Sequence, residues 1–319
     1  MKLLSGLFHS QNFSRLQFTE RIVSLGFEFF SFMSLTAKRG KRAFRETERA
    51  LVALAAEQNA QSVHKFRTSS RRLETLLDQL VSRADRSQNK LLKMLDRIRR
   101  RAGKVRDIDL QLAALRTVKI PLQPRRKTQL MHALIELRVK HESRLRKLLK
   151  KKAVLELRKS LHRVAKQVSL DPRKDPLQIA RQMLADVRPS GSITTGSIAE
   201  NALHQFRATV KRARYAAELA PQSAESKEFL VQLKHLQDVT GLWHDWHLLT
   251  SAATRRLGEV DQSPLVAVLH NITRVKFRHA VSALATSPAL KKTANVVPAP
   301  EPSQQKPALT LVASHDSAA

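Results

Sequence analysis

The chain repeats one pattern at long range, and this repeat restricts the folds that it can adopt. The stretch HKFRTSSRRLE at 64–74 returns as HQFRATVKRAR at 204–214, with His, Phe, Arg and a basic pair in register. A second block follows in the same order, since LDRIRRRAGKVRDID at 95–109 matches LKHLQDVTGLWHDWH at 233–247. Self-similarity at a fixed distance is typical of a structural unit that occurs twice. We therefore predict two copies of one unit.

Composition favours helices for both copies. The 319 residues include 8 Gly and 5% aromatic residues, whereas antiparallel β folds generally use more of both. Apolar residues reach 42%, which is enough for a packed core. We predict an all-α fold, with repeat one at 37–168 and repeat two at 175–286. The predicted helices are 37–60, 62–83, 87–102, 105–118, 125–168, 175–187, 198–220, 223–240, 243–257 and 263–285.

Cysteine is absent from the sequence. Its absence excludes disulfide scaffolds, cysteine-based zinc sites and thiolate catalysis. It also suits the cytoplasm, which is the location that we expect. The glycine patterns of P-loop and dinucleotide-binding proteins are missing as well.

The net charge is strongly positive and belongs to the repeats. The sequence has 58 Lys and Arg against 27 Asp and Glu, a net charge of +31. Residues 1–36 and 287–319 each carry a net charge of +1, so +29 lies on 37–286. Such a field attracts a polyanion, and the candidates are nucleic acid, an acidic membrane surface and a polyphosphate.

Each copy of the first block places cations on one side of a helix. In repeat two, Leu203 and Phe206 start an apolar stripe at helical spacing, and a basic stripe runs beside it. Like charges four residues apart on a helix repel each other, so an anion held along the stripe would compensate them. The alternative is a solvated face that tolerates the repulsion. The basic stripes are His64, Arg67 and Arg71 in repeat one, closed by Glu74, and His204, Arg207, Lys211 and Arg214 in repeat two.

The second block contains a glycine and an aspartate in each copy. Gly103 and Gly241 are predicted to follow a helix at the C′ position, where a positive φ favours glycine. Asp107 and Asp245 are then predicted to begin the next helix, where a carboxylate interacts favourably with the helix dipole. They can also orient nearby arginines through charge-assisted hydrogen bonds. We interpret both aspartates as structural support rather than as catalytic groups.

The two H-x-x-R-x-x-x-[RK]-R stripes, each followed by a G-x-x-[RH]-D block, resemble the CHAD domain, the conserved-histidine α-helical domain. The resemblance covers about residues 37–286. It implies two pseudo-symmetric antiparallel helical bundles around a basic channel, and binding of inorganic polyphosphate along the stripes. In bacteria it also implies association with polyphosphate granules. The channel would be lined by His64, Arg67, Arg71, Arg72, His204, Arg207, Lys211, Arg212 and Arg214.

The sequence also departs from the family pattern. Arg214 supplies the third basic residue, ten positions after the histidine, whereas Glu74 stands at that place in repeat one. In the second block, His244 stands where repeat one has Arg106. Many relatives carry an adjoining CYTH domain with an E-x-E-x-K strand, and no such motif occurs here. We therefore expect a binding protein that is not an enzyme and that uses no cofactor.

Two other functions fit parts of the sequence. Nucleic-acid binding fits the charge, but one Tyr and two Trp provide few stacking platforms, so we expect only weak, salt-sensitive binding. A metal-dependent phosphohydrolase of the HD type is also all-helical and needs His and Asp ligands. Arg106 argues against it, because an arginine at this place in repeat one suits a phosphate rather than a metal. The ligands would come from His204, His244, Asp245 and Asp261, with His235 and His247 nearby.

The two ends differ from the repeats. We interpret the Phe-rich residues 1–36 as an N-terminal extension, non-native or disordered, with Met33 as the native start. The alternative is that 22–35 lies on a membrane surface. No run of about 18 uncharged apolar residues occurs, so we predict no transmembrane helix. Residues 287–319 are rich in Pro, Ala and Ser and are predicted to be disordered.

Overall fold

The computed structural model describes residues 38–81, 85–119, 124–187 and 200–292. These ranges form ten α-helices and a short 3₁₀ turn, and their only β pairing is an isolated bridge between Val81 and Leu170. The all-α prediction is confirmed. The helices are α1 (38–56), α2 (Ala60–Leu80), α3 (Arg86–Thr117), α4 (Pro124–Leu148), α5 (Lys151–Gln167), α6 (Pro176–Asp186), α7 (Glu200–Ala217), α8 (Ala224–Leu257), α9 (Pro264–Thr286) and α10 (Pro288–Lys292).

Polar side chains cap the N-termini of α2, α3 and α8 and so fix where these helices begin. The side chain of Asn59 accepts a hydrogen bond from the backbone N–H of Ser62 at 2.8 Å and so caps α2. Asp85 caps α3 in the same way, through the N–H of Gln88 at 2.7 Å. Ser223 caps α8 by a reciprocal pair of bonds with the third residue of the helix.

The predicted breaks at Gly103 and Gly241 are wrong. Both glycines lie inside continuous helices, α3 and α8, and Gly258 is the glycine with a positive φ, 89°, in the described part of the chain. Asp107 and Asp245 therefore lie in helix interiors rather than at helix starts. Apolar residues on both sides of each glycine keep the helical period and pack into the cores, and this packing outweighs the helix-breaking tendency of glycine.

Two other predicted boundaries need correction. The single helix expected at 125–168 is two helices, because Lys150 is extended between α4 and α5. The turn brings Leu157 and Leu161 of α5 onto the core around α3, which a straight helix would not reach. The disordered tail was placed from 287 onward, yet α10 packs its Leu290 into the core of the second half. Residues 1–36 and the rest of that tail lie outside the described residues.

Three hydrophobic cores hold the helices together. The first lies among α1, α2, α3, α5 and the end of α4, and the second lies among α6, α7, α8, α10 and the end of α9. The third joins the C-terminal parts of α3 and α8 to α4 and α9, so it connects the two halves of the chain. Because α3 and α8 each take part in two cores, their relative position is fixed, and so is the surface between them.

Helix order and length agree between the two halves. α2, α3 and α4 contain 21, 32 and 25 residues, and α7, α8 and α9 contain 18, 34 and 23. In each half the middle helix of the three packs against the other two. This agreement supports the predicted repeat, and superposition of 37–168 on 175–286 is the test of its pseudo-twofold symmetry. None of the described helices is long and apolar enough to cross a membrane.

Candidate anion-binding cleft

A cleft of about 580 Å³ opens where the two halves meet, between α2 and α3 on one side and α7 and α8 on the other. Seven of its lining residues are Lys or Arg and three are Asp. We call it the basic cleft. Its lining residues are His64, Arg67, Thr68, Arg71, Arg72, Arg106, Asp107, Leu110, Arg207, Lys211, Arg214, Tyr215, Gln237, Asp238, Gly241, Leu242 and Asp245.

Most of the predicted site residues meet in this cleft. The two basic stripes face the cleft because the opposite requirement is met by the apolar stripes. α2 buries its apolar stripe, which includes Phe66, in the first core, and α7 buries its own, which includes Phe206, in the second core. Residues about 100° away on each helix then point towards the other half. The predicted residues that line the cleft are His64, Arg67, Arg71, Arg72, Arg207, Lys211 and Arg214.

His204 and Arg212 are the two predicted site residues that are not among the residues lining the cleft. Arg212 stands one residue after Lys211, so it is rotated away and exposed, and its guanidinium lies 3.5 Å from the hydroxyl of Thr209. His204 lies in the first part of α7 and packs its ring against Trp243 of α8, with ring centroids 4.5 Å apart.

Arg67 is held against α3. Its Nη1 donates a hydrogen bond of 3.1 Å to the carbonyl oxygen of Arg99. A Cβ atom at Gly103 would overlap this guanidinium, so the glycine allows the side chain to lie directly on the helix backbone. This close approach explains a glycine in the middle of α3. Burial lowers the pKa of Arg67, and the nearby Asp107 acts in the opposite direction.

Arg207 and Lys211 are the corresponding cations of the second half. Burial lowers the pKa of Arg207, and its Nε is buried without a hydrogen-bond partner among the described residues. Burial, followed by the charges of Arg207, Arg71 and Arg67, lowers the pKa of Lys211 to about 7. The empty cleft therefore holds cations whose charged form is disfavoured, and an anion would reverse this.

Two carboxylates lie among these cations. Burial raises the pKa of Asp107 and of Asp245, although Arg67 lowers the first and Arg207 lowers the second. The negative charge of Asp107 also contributes to the raised pKa of Asp245, so the two carboxylates lie close enough to interact. They interact electrostatically with the arginines that the sequence predicted them to orient, and they leave the cleft with an excess of cations.

An ion pair between the two halves involves Arg72 and Arg214, two of the residues that line the cleft. Glu218 accepts hydrogen bonds from Nε of Arg72 at 2.6 Å and from Nη1 of Arg214 at 2.7 Å. Both guanidiniums lie over the ring of Tyr215, 5.9 and 5.0 Å from its centroid. Arg214 also donates to Gln237 at 2.7 Å. These two cations are thus already paired, whereas Arg207 and Lys211 form no ion pair with another residue in the described part of the chain.

The second half keeps a histidine cluster behind the cleft. The ring of His204 lies 5.1 Å from that of His244 and 5.2 Å from that of His247. Burial and the charge of Arg207 lower the pKa of His244 to about 2, and burial lowers that of His204. His64 is exposed at the mouth of the cleft, where partial burial and Arg106 lower its pKa. These shifts favour the neutral form of His64, His204 and His244 near pH 7.

The metal-site alternative lacks its ligand set in the described part of the chain, where no three His, Asp or Glu side chains are grouped to hold a metal ion. Asp261 lies in the 3₁₀ turn beyond the end of α8, which separates it from His244 and Asp245 in the middle of that helix.

Three charged residues in or beside the cleft were not among the predicted site residues. Arg106 lines it, and the second block had marked this position as one that suits a phosphate. Glu218 was missed because its partner Arg72 lies 146 residues away. Glu74, which departs from the basic stripe, forms an ion pair with Arg99 next to the cleft, and this explains an acidic residue there.

Comparison with known proteins agrees with this architecture. The family model of the CHAD domain matches residues 39–254. No curated protein matches the chain. Two solved structures are similar: PptA from Streptomyces chartreusis (16% identity, 82% of this chain and 99% of that one) and the CHAD domain from the plant Ricinus communis (15% identity, 83% and 92%), each with a TM-score of 0.57. At these identities the likeness shows the fold alone. The family match spans well over half of the chain, which therefore belongs to the CHAD domain family.

Proposed function

We propose that this protein binds inorganic polyphosphate in the basic cleft. The observation that carries the proposal is the facing pair Arg67 and Arg207, two largely buried guanidiniums from equivalent stripes, with Lys211 beside them. A phosphate chain carries a charge on every unit and accepts charge-assisted hydrogen bonds from guanidinium groups. It would also supply a partner for the buried Nε of Arg207. Family membership supports this ligand, since the CHAD family is linked to polyphosphate binding.

The lining of the cleft favours a bare phosphate chain over a nucleic acid. Single strands are generally held by aromatic side chains on which bases stack. Tyr215 is the only Phe, Tyr or Trp among the described lining residues, and Arg72 and Arg214 already cover its ring. The walls therefore offer positive charge without a free stacking surface. Nucleic acids would interact through the field of the whole surface, which is weak and sensitive to salt.

The test is a binding measurement with long-chain polyphosphate and with DNA of equal total charge, at two salt concentrations. We expect tighter binding of polyphosphate at both concentrations, because buried contacts are screened less than exposed charges. Equal affinities that fall together with salt would contradict a defined site and would favour a diffuse polycation.

Our proposal is of binding without hydrolysis, in the cytoplasm and at polyphosphate granules. Asp107 and Asp245 interact with Arg67 and Arg207, which suits a role in placing the guanidiniums rather than in activating water. Incubation with polyphosphate and Mg²⁺ should release no orthophosphate above the rate without protein. Release that depends on the protein would overturn this part of the proposal.

Substitution of Gly103 by alanine should weaken polyphosphate binding about tenfold. The added methyl would displace the Arg67 guanidinium from its bond to Arg99, and a hydrogen bond of this kind contributes roughly 0.5–1.5 kcal/mol. The fold should remain, because the clash is with the mobile end of a side chain. Isothermal titration calorimetry measures the affinity, and thermal unfolding measures the stability.

Gly241→Ala is the matched control for this substitution. It also replaces a glycine inside a long helix. A Cβ there would add a methyl group to the wall of the cleft, but it would meet no described atom within 4 Å. It should raise stability by about 0.5–1 kcal/mol through helix propensity and leave Arg67 in place. If both variants bind polyphosphate equally well, the placement of Arg67 does not determine affinity.

A further inference from the structure

A second cavity adjoins the basic cleft at Arg72 and Tyr215. Its volume is about 340 Å³, and it lies between α1, the end of α7 and the start of α8. Arg72 and Tyr215 line both the cleft and this cavity, so the two spaces share a wall. The cavity adds cations of its own, namely Arg39, Arg42 and Lys227.

The wall between the two spaces is built around one carboxylate. Glu218 lines the second cavity and accepts hydrogen bonds from Arg72 at 2.6 and 3.2 Å and from Arg214 at 2.7 Å. Arg72 belongs to α2 and Arg214 to α7, so the carboxylate joins cations from both halves. Its side chain is 22% exposed, so solvent reaches the ion pair.

A carboxylate held by two guanidiniums occupies the place that a phosphate would take. The planar fork of arginine binds carboxylate and phosphate oxygens in the same bidentate geometry. A polyphosphate chain carries many charges, whereas Glu218 carries one. Arg72 and Arg214 can therefore exchange Glu218 for a phosphate unit without losing hydrogen bonds.

We propose that Glu218 is a gate between the basic cleft and the second cavity, and that a long polyphosphate chain displaces it and continues into that cavity. This inference rests on the proposed function and deepens it, because it predicts a longer binding track and a dependence on chain length. A short chain binds within the cleft and leaves Glu218 in place. A long chain gains contacts with Arg72 and Arg214, and then with the cations of the second cavity.

Arg42 supplies the clearest contact in the second cavity. It is largely exposed, and its present partner is Glu46 four residues later on the same helix, at 2.7 Å. Exposed pairs of this kind contribute little to stability, so Arg42 is available to a phosphate. Arg39 donates to the carbonyl oxygen of Leu219 at 3.1 Å, which ties α1 to the segment that carries the gate.

The experiment compares Glu218→Gln with Glu228→Gln, using long-chain polyphosphate and tripolyphosphate as probes. Both substitutions remove one negative charge, but Glu228 is exposed on α8, outside both cavities, and accepts a hydrogen bond from Gln232 of the same helix at 2.9 Å. For long chains we expect Glu218→Gln to raise affinity about tenfold, since the opened guanidiniums gain charge-assisted bonds. Glu228→Gln should change it about twofold or less. For tripolyphosphate the two variants should differ little.

Arg42→Ala keeps the proposal testable if Glu218→Gln does not fold. In a protein that keeps Glu218, Arg42→Ala should lower the affinity for long chains several-fold. The affinity for tripolyphosphate should stay unchanged. The proposed gate would be contradicted if Glu218→Gln and Glu228→Gln changed the affinity for long chains equally. It would also be contradicted if the Arg42→Ala variant bound long chains as tightly as the unchanged protein. Failure of the unchanged protein to bind either probe would instead overturn the proposed function.

Discussion

Replacement of Arg67 and Arg207 together by alanine should lower the affinity for long-chain polyphosphate by about a hundredfold or more. Each guanidinium is largely buried in the basic cleft, where a charge-assisted hydrogen bond contributes roughly 1.5–3 kcal/mol. Two such bonds therefore correspond to about 3–6 kcal/mol, or roughly two to four powers of ten in affinity. Titration with long-chain polyphosphate measures the loss, and circular dichroism confirms that the helices are retained.

Lys151→Ala with Lys152→Ala is the matched control. It removes the same two charges, but both lysines are exposed at the start of α5, outside the cleft. Exposed charges are screened over roughly 8–10 Å, so we expect about a threefold loss or less. The two double variants have equal net charge and differ only in the place of the lost cations. Equal losses would mean that the charge acts collectively and that the cleft is no defined site.

The basic cleft could be predicted in large part because its stripes are local patterns. His64, Arg67 and Arg71 lie three and four residues apart, so helical geometry alone places them on one side of α2. The repeat of the pattern in α7 then indicated that two such helices contribute. What places these residues face to face is the packing of α2 on α7 and of α3 on α8, and the sequence contains no local signal for it.

The missed features depend on contacts between distant residues. Gly103 looks like a helix end in the sequence, because glycine favours that position. In the folded chain it makes room for Arg67, which lies on another helix. Glu218 likewise follows Arg214 by four residues, an ordinary helical pair, and its importance appears only when Arg72 reaches it from the other half. A residue that acts through a partner in another part of the chain produces no periodic pattern in the sequence.

The helix boundaries were predicted best where side chains cap them and least well where packing decides them. Ser223, which caps α8, lies where a helix was predicted to begin. The turn at Lys150 has no side-chain cap and contains neither Gly nor Pro, so no local signal marks it. The turn at Lys150 is stabilised by the packing of α5, whose apolar face, including Leu157, lies on the first core.

Binding of polyphosphate should weaken as the pH rises above 7, by up to tenfold for each pH unit until Lys211 is deprotonated in the complex as well. Burial and neighbouring arginines lower the pKa of Lys211 to about 7 in the empty cleft. A bound polyanion raises this pKa, because an opposite charge favours the protonated form. At pH values between the pKa of Lys211 in the ligand-free protein and its pKa in the complex, Lys211 takes up one proton when polyphosphate binds. Each unit of pH in this range therefore changes the affinity by a factor of ten.

The empty protein should show the opposite trend. Because the pKa of Lys211 is lower in the folded state than the 10.5 of an ordinary lysine, the unfolded chain binds the extra proton between pH 7 and 10.5. The contribution of Lys211 to the free energy of unfolding therefore rises with pH over this range. Thermal unfolding with and without polyphosphate, from pH 6.5 to 9, measures both trends. Stabilisation by the ligand should shrink while the ligand-free protein becomes more stable.

Lys211→Arg separates Lys211 from the other groups of the cleft that titrate. An arginine stays charged throughout this range, so the affinity of the variant should be nearly constant from pH 7 to 9. Burial lowers the pKa of His64 in the cleft and of His204 behind it, which favours the neutral form of both imidazoles above pH 7 in the ligand-free protein. Phosphate groups are ionised there too, since their last pKa lies near 6. An unchanged pH dependence in Lys211→Arg would therefore assign the proton to a different group and contradict the role of the buried lysine as the titrating cation.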